Sequence, residues 1–133
     1  MIVIGQEVAA WICLKTGGCV TPNTQGIGNE IDGILTAGVS FEGWNGVNAY
    51  VHQRIDKHPP RAFWWTVADF GFNHLGCKRL TGTVAASNHQ ARRLDEHIGF
   101  EHEATLKGAA EDGGDLLVYV LWRDKCRFLN WRK

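Results

Sequence analysis

Hydrophobic positions recur along the chain with a period that switches between about 3.6 and about 2 residues, the spacings of a helix face and of a strand face. Glu7 to Lys15 carries the helical spacing, with Val8, Ile12 and Trp11 inward, and Gly17-Gly18 predicts its end. Cys19 to Gly26 reads as a polar loop around Pro22. From Ile27 the pattern turns strand-like. Ile27–Ile31 closes on Asp32-Gly33, a strong hairpin signal. Ile34–Phe41 follows, then a Gly43-Trp44-Asn45-Gly46 turn, then Val47–Ile55 as the alternating partner strand. Three strands joined by tight turns predict an antiparallel meander.

His58-Pro59-Pro60 then opens a helix, because proline suits a first turn where its missing N–H costs nothing. Phe63, Val67, Phe70 and His74/Leu75 share its inner face, and Gly76 supplies the stop. Lys78–Ala86 is rich in β-branched residues and reads as a strand. Asn88–Ile98 predicts a second long helix with Ala91, Leu94 and Ile98 inward and Gly99 beyond its end. Phe100–Lys107 and Leu116–Trp122 are two further strands, separated by the polar loop GAAEDGGD. A crossover helix between Val47–Ile55 and Lys78–Ala86 makes those two strands parallel. The expected fold class is therefore α/β (α+β), with a mixed, mostly antiparallel central sheet flanked by helices.

Composition narrows the function classes. The 133 residues are one domain's worth, and 44% hydrophobic with 21% charged residues is ordinary for a globular chain. Fourteen basic residues balance fourteen acidic ones. That balance argues against nucleic acid as a partner, which calls for a basic excess, and against an anionic membrane surface. No apolar run approaches the roughly 20 residues of a membrane helix. The opening MIVIGQEVAAWICLKTGG lacks a basic start and a sustained apolar core, so no signal peptide is expected and the expected location is cytoplasmic. Cys13, Cys19, Cys77 and Cys126 show no paired spacing, and the six histidines form no metal-binding motif, so no metal is expected.

The segment CKRLTGTVAASNHQARRLDEHIGFEHEATLKGAAEDGGDLLVYVLWRDKCRFL resembles the GNAT superfamily of N-acetyltransferases, most nearly its branch of ribosomal-protein N-terminal acetyltransferases and short bacterial and phage members. The matching features come in order: a strand ending in Val84, Asn88 at a helix start, Ala91 and Leu94 on that helix, and Gly99-Phe100 closing it. A strand with Glu103 follows, then a Gly/Asp turn, then Asp115 and Tyr119 near and on the last long strand. Upstream, RAFWWTVADFGFNHLGCKRL is similar to the family's central helix and its exit. The resemblance covers roughly residues 27–129.

It implies a single acyltransferase domain over residues 1–133, with a shortened N-terminal region and a splayed pair of parallel strands, Val47–Ile55 and Lys78–Ala86. Acetyl-CoA is the implied co-substrate, a primary amine of unspecified identity the implied acceptor, and no metal is implied. Within that resemblance, Gln53 and Arg54 border the acyl group, with a strand N–H near His52 to Arg54 as oxyanion donor. Lys57, Arg61, Ala62 and Phe63 hold the pyrophosphate at a helix N-terminus, and Asn88 contacts the cofactor. His52 is the candidate catalytic base, since an ordinary histidine titrates near 6.5. A structural histidine is the competing reading.

The departures from the family pattern carry their own expectations. The usual glycine-rich phosphate loop reads KHPPRA, so Pro59 and Pro60 withhold N–H donors and Lys57 and Arg61 supply charge instead. Asp95 stands where many members place a tyrosine that protonates the leaving thiolate. An aspartate ionised at pH 7 is a poor donor, so Asp95→Ala is expected to change turnover little. Asp95 and Glu96 are expected on the solvated helix face, paired with Arg92 or Arg93. Ser87 or Asn88 caps the second helix, with Ser87 and Gln90 forming a capping-box pattern. Trp64-Trp65 reads as core or as a flank of the pantetheine arm. The shortened N-terminal region and six tryptophans suggest a homodimer. The rival readings are an acetyl-CoA-binding module without turnover, and an interaction protein anchored by aromatics such as Trp44 or Trp131.

Overall fold

A computed structural model describes residues 1–16 and 20–129. The expected glycine stop at Gly17-Gly18, Cys19 and Trp131 lie outside the described residues. The elements are β1 (Ile2–Ile4), α1 (Gln6–Thr16), β2 (Gln25–Ile31), β3 (Ile34–Glu42), β4 (Asn48–Ile55), α2 (Arg61–Asp69), β5 (Arg79–Ala85), α3 (His89–Ile98), β6 (Glu101–Leu106) and β7 (Leu116–Trp122). They build a seven-stranded sheet in the order β1-β2-β3-β4-β5-β7-β6. Every neighbouring pair is antiparallel except β4 and β5. The mixed, mostly antiparallel sheet expected from the residue pattern is thus the observed one.

Strand alternation divides the layers. Ala37, Val39, Phe41, Ala49 and Leu80 face one side, where they form a core with Phe63, Trp64, Val67, Ala68 and Phe72 of the central helix and with Ile98 of α3. The opposite side of β2 and β3 carries Gly26, Gly28 and Gly38. A Cβ at Gly28 or Gly38 would press on Val8 or Ile12, so these glycines let α1 lie directly on the sheet. Trp11 is only half-buried; it packs under the Arg54 guanidinium, 4.0 Å from the ring centre.

Two features depart from the sequence reading, and a third decides between alternatives it left open. Ile2–Ile4 is a strand, pairing Ile2 with Asn29, so the N-terminal region is a strand and a helix rather than a helix alone. Three residues are too few to show a period. The central helix does not keep its 3.6-residue phase: a π-helical turn spans Phe70–His74. The wider turn advances the inner face, so Gly71 and Phe72 are buried while Phe70 is half-buried and His74 exposed. The cap of α3 is Asn88, whose Oδ1 accepts from the Ala91 N–H at 3.2 Å; Ser87 instead donates to Asp112 at 2.6 Å.

Gly99 ends α3 at φ 124°, and a Cβ there would fall on the Lys125 carbonyl oxygen. Gly99→Ala is therefore expected to cost at least about 2 kcal/mol, combining backbone strain with a clash against backbone. Thermal or urea unfolding reads the loss; an unchanged midpoint would contradict the packing described here.

Candidate active site

The parallel contact of β4 and β5 is short. Only Asn48–Arg79, Ala49–Leu80 and Tyr50–Thr81 pair, although β4 continues to Ile55 and β5 to Ala85. Beyond Tyr50 and Thr81 the two strands part. A cleft of about 1300 Å³ opens there, walled by β4, β5, the start of α2 and one face of α3. Such an opening at the C-terminal ends of parallel strands is where open α/β sheets bind ligands. A Cβ at Gly82 would sit 3.5 Å from the Val51 carbonyl oxygen, so Val51 turns its backbone towards β5. Alternation gives Gln53 the same orientation, towards the gap.

Neighbouring residues of β4 serve opposite faces. On the helix side, Gln53 donates from Nε2 to Asp95 Oδ1 at 2.8 Å, joining β4 to α3 across the cleft. On the α1 side, His52 Nε2 lies 2.6 Å from Glu42 Oε1, with the imidazole and carboxylate side chains 36% and 33% exposed. The adjacent strands explain the pairing: His52 stands opposite Ser40 and Tyr50 opposite Glu42 on the same face.

Asp95 corrects the sequence reading. It is half-buried against the cleft, not on the solvated face, and it pairs with Gln53 rather than with an arginine. Burial is the main force on its proton affinity: desolvation pushes the carboxyl up to about 7, helped by nearby Glu96 and opposed by the Gln53 hydrogen bond. A carboxyl near 7 is part-protonated at neutral pH and can donate, so the premise that made Asp95 a poor donor does not hold. Arg92 is engaged elsewhere, donating to Ala86 O at 3.0 Å and to the Tyr119 hydroxyl at 3.3 Å, and Glu96 accepts from that hydroxyl at 3.0 Å.

The start of α2 is where the resemblance puts the phosphate end. Pro60 is the residue before α2, with φ −69° and ψ 163°, and the helix starts at Arg61 rather than within the prolines. The Phe63 N–H already donates to Pro60 O at 3.0 Å. The first two helical N–H groups, of Arg61 and Ala62, are the ones a helix start leaves for an anion. Lys57 and Arg61 are exposed at this rim and line the cleft. His52, Gln53, Arg54 and Asn88 line it too, whereas Ala62 and Phe63 do not; the Phe63 ring is fully buried in the core. Arg54 borders the cleft, but its guanidinium is held by Asp56 at 3.1 and 3.2 Å and by Trp11 O at 3.0 Å. Trp64 belongs to both readings: it is buried in the core and also lines the cleft. Among the described residues no three His, Cys, Asp or Glu side chains converge as metal ligands.

No family model and no curated protein sequence matches the chain. Solved structures do. A mutant of spermidine N-acetyltransferase SpeG from Vibrio cholerae superposes with a TM-score of 0.66 at 21% identity, over 84% of this chain and 72% of that one. Mutant forms of the spermidine/spermine N-acetyltransferase SpeG from Vibrio cholerae match over the whole of both chains, with a TM-score of 0.74 at 14% identity. A probable acetyltransferase matches with a TM-score of 0.65 at 23% identity, over 77% of this chain and 64% of that one. The likeness is to this fold at large and does not single out the ribosomal-protein branch. With one parallel strand pair in a mixed sheet and these structural neighbours, the chain has the fold of the GNAT N-acetyltransferases.

Proposed function

We propose that the chain transfers an acetyl group from acetyl-CoA to a primary amine in the cleft between β4 and β5. The observation that carries this reading is the three-pair parallel contact that ends at Tyr50 and Thr81 and opens directly into the cleft. Acetyl-CoA supplies an acyl group activated as a thioester; the chain supplies position and proton transfer. The residues present fit such a group. Arg61 and Ala62 offer helix-start N–H donors, and Lys57 and Arg61 offer charge for a pyrophosphate where Pro59 and Pro60 withhold donors. The Gln53 N–H, turned towards the gap, is the donor for charge developing on the carbonyl oxygen. His52 takes a proton from the amine on the α1 side, oriented by Glu42. Asp95, on the helix side, holds a proton for the departing sulfur. The non-catalytic alternative rests on Asp95 as an ionised residue and on Pro59 and Pro60, and a carboxyl near 7 takes away the first of these.

Thiol release from acetyl-CoA over a panel of primary amines tests the reaction; no release with any amine would leave a binding module. Arg61→Glu is expected to weaken acetyl-CoA binding by about tenfold or more while leaving the unfolding midpoint unchanged. Unaltered affinity would sink this placement of the pyrophosphate. The same reading includes the cytoplasmic location and the homodimer. For the latter, β6 offers a six-residue edge exposed along its whole length, and light scattering at micromolar concentration decides it.

A further inference from the structure

Behind the cleft wall, α3 is clamped to β7 by a polar cluster that the proposed reaction does not use. Its centre is the Tyr119 hydroxyl. Arg92 donates to that oxygen from Nε at 3.3 Å, and the hydroxyl donates to Glu96 Oε2 at 3.0 Å. Arg92 also donates from Nη1 to the Ala86 carbonyl oxygen at 3.0 Å, so its guanidinium ties α3 to the chain just past β5 as well as to β7. The hydroxyl has little freedom. Tyr119 is buried and packs with Val84 and Leu117, against Ala86, Ala91 and Phe100. Arg92 and Glu96 stand outside the cleft lining, whereas Asp95, between them in the chain, is part of it.

Helix geometry turns these contacts into a constraint on Asp95. Arg92 and Glu96 are four residues apart and so share one face of α3. Asp95 points about 60–100° round the axis from that face. Apolar contacts of Ala91, Leu94 and Ile98 hold α3 on the core, but they tolerate a small roll; directional hydrogen bonds do not. A roll of about 20° carries a carboxyl roughly 5 Å from the axis through about 1.7 Å. That is enough to break the 2.8 Å bond from Gln53. We propose that Tyr119 is a positioning residue: by holding Arg92 and Glu96 from β7, it fixes the roll of α3 that turns Asp95 into the cleft and onto Gln53. The inference rests on the proposed acetyl transfer for what the Asp95 proton does, but the placement of the carboxyl is measurable without turnover.

Carboxyl-carbon NMR of the whole chain across a pH series reads Asp95 directly, with Asp95→Asn identifying its resonance. In the native chain that carboxyl titrates at about 7. Tyr119→Phe keeps the ring and changes no charge at neutral pH. It is expected to bring the titration down by about one pH unit or more, because a rolled α3 returns the carboxyl to water. Arg92→Lys keeps the charge but gives up the fork that bonds Ala86 and Tyr119 at once, and should move the titration the same way by less. In both variants Glu96 beside Asp95, Lys57 and Arg61 across the cleft, and Arg93 and His97 along α3 all remain, so the change reports placement. Turnover supplies a second reading. Tyr119→Phe should lower kcat/KM for acetyl-CoA about three- to thirtyfold in the native chain and leave it unchanged in an Asp95→Asn background, because the two residues act through one proton. A clamp that only stabilises the fold would cost the same in both backgrounds. An Asp95 titration that neither variant moves, or equal losses in the two backgrounds, overturns the proposal. A moved titration without thiol release would keep this role for Tyr119 and remove the acetyl-transfer reading; thiol release with an unmoved titration would do the reverse.

Discussion

Asp95→Asn is expected to lower kcat/KM for acetyl-CoA by about 10²–10⁴-fold near pH 6.5, the usual worth of a positioned proton donor. The reason lies in its surroundings. Burial beside the cleft holds the Asp95 carboxyl near 7, so at neutral pH part of the population carries a proton that can pass to the leaving sulfur. In the native chain, kcat/KM should fall as pH rises past about 7, when that proton is lost. The variant should lack this falling limb. Stability should move the other way. Below the ordinary aspartate pKa near 3.9, folded and unfolded chains both carry the proton. Between about pH 4 and 7 the unfolded chain ionises first, so stability declines with rising pH and the full cost of burying the carboxylate is present above 7. Asp95→Asn, which keeps an oxygen for Gln53, should therefore stabilise the fold at pH 8, on the order of 2–4 kcal/mol, and leave it unchanged at pH 4. Full turnover in the variant with its falling limb intact would place the donor elsewhere.

His52→Ala is the second large effect. Its removal should lower kcat/KM for the amine by about 10²–10⁴-fold, the loss expected when a general base is deleted. Strand alternation puts His52 on the opposite face of β4 from Gln53 and Asp95, so the two proposed proton transfers would lie on opposite sides of the sheet. The loss should therefore appear in kcat/KM for the amine and leave acetyl-CoA affinity near its original value. A variant with an unchanged rate would show that the amine reacts without this imidazole.

Much of the architecture is legible in the residue pattern. Leu116–Trp122 coincides with β7, and the turn signals at Asp32-Gly33 and Gly43 to Gly46 set β2, β3 and β4 in order. The crossover through α2 makes β4 and β5 parallel, and that pair forms the cleft. What escapes the pattern depends on contacts between distant residues or on subtle helix geometry. Ile2–Ile4 is a strand only because β2 offers it an edge. The π-helical turn at Phe70–His74 shifts the buried face, and the single Gly71 within it does not by itself signal a change of helical period. Asp95 reads as a solvated helix residue because Glu96, Arg92 and Arg93 surround it in the chain. Its environment is made instead by Gln53, which lies 42 residues earlier on a strand. Glu42 likewise carries no local signal; only the antiparallel register of β3 and β4 brings it to His52. Polar residues that meet across elements are where reading along one chain fails.

Titration of acetyl-CoA into the chain by calorimetry at pH 7 bears most directly on the central claim that the gap between β4 and β5 is a cofactor cleft. Saturable binding of one acetyl-CoA per chain is expected, weakened by Arg61→Glu at the start of α2 and followed by thiol release once a reactive amine is added. No binding, or binding that Arg61→Glu leaves unchanged, would contradict it.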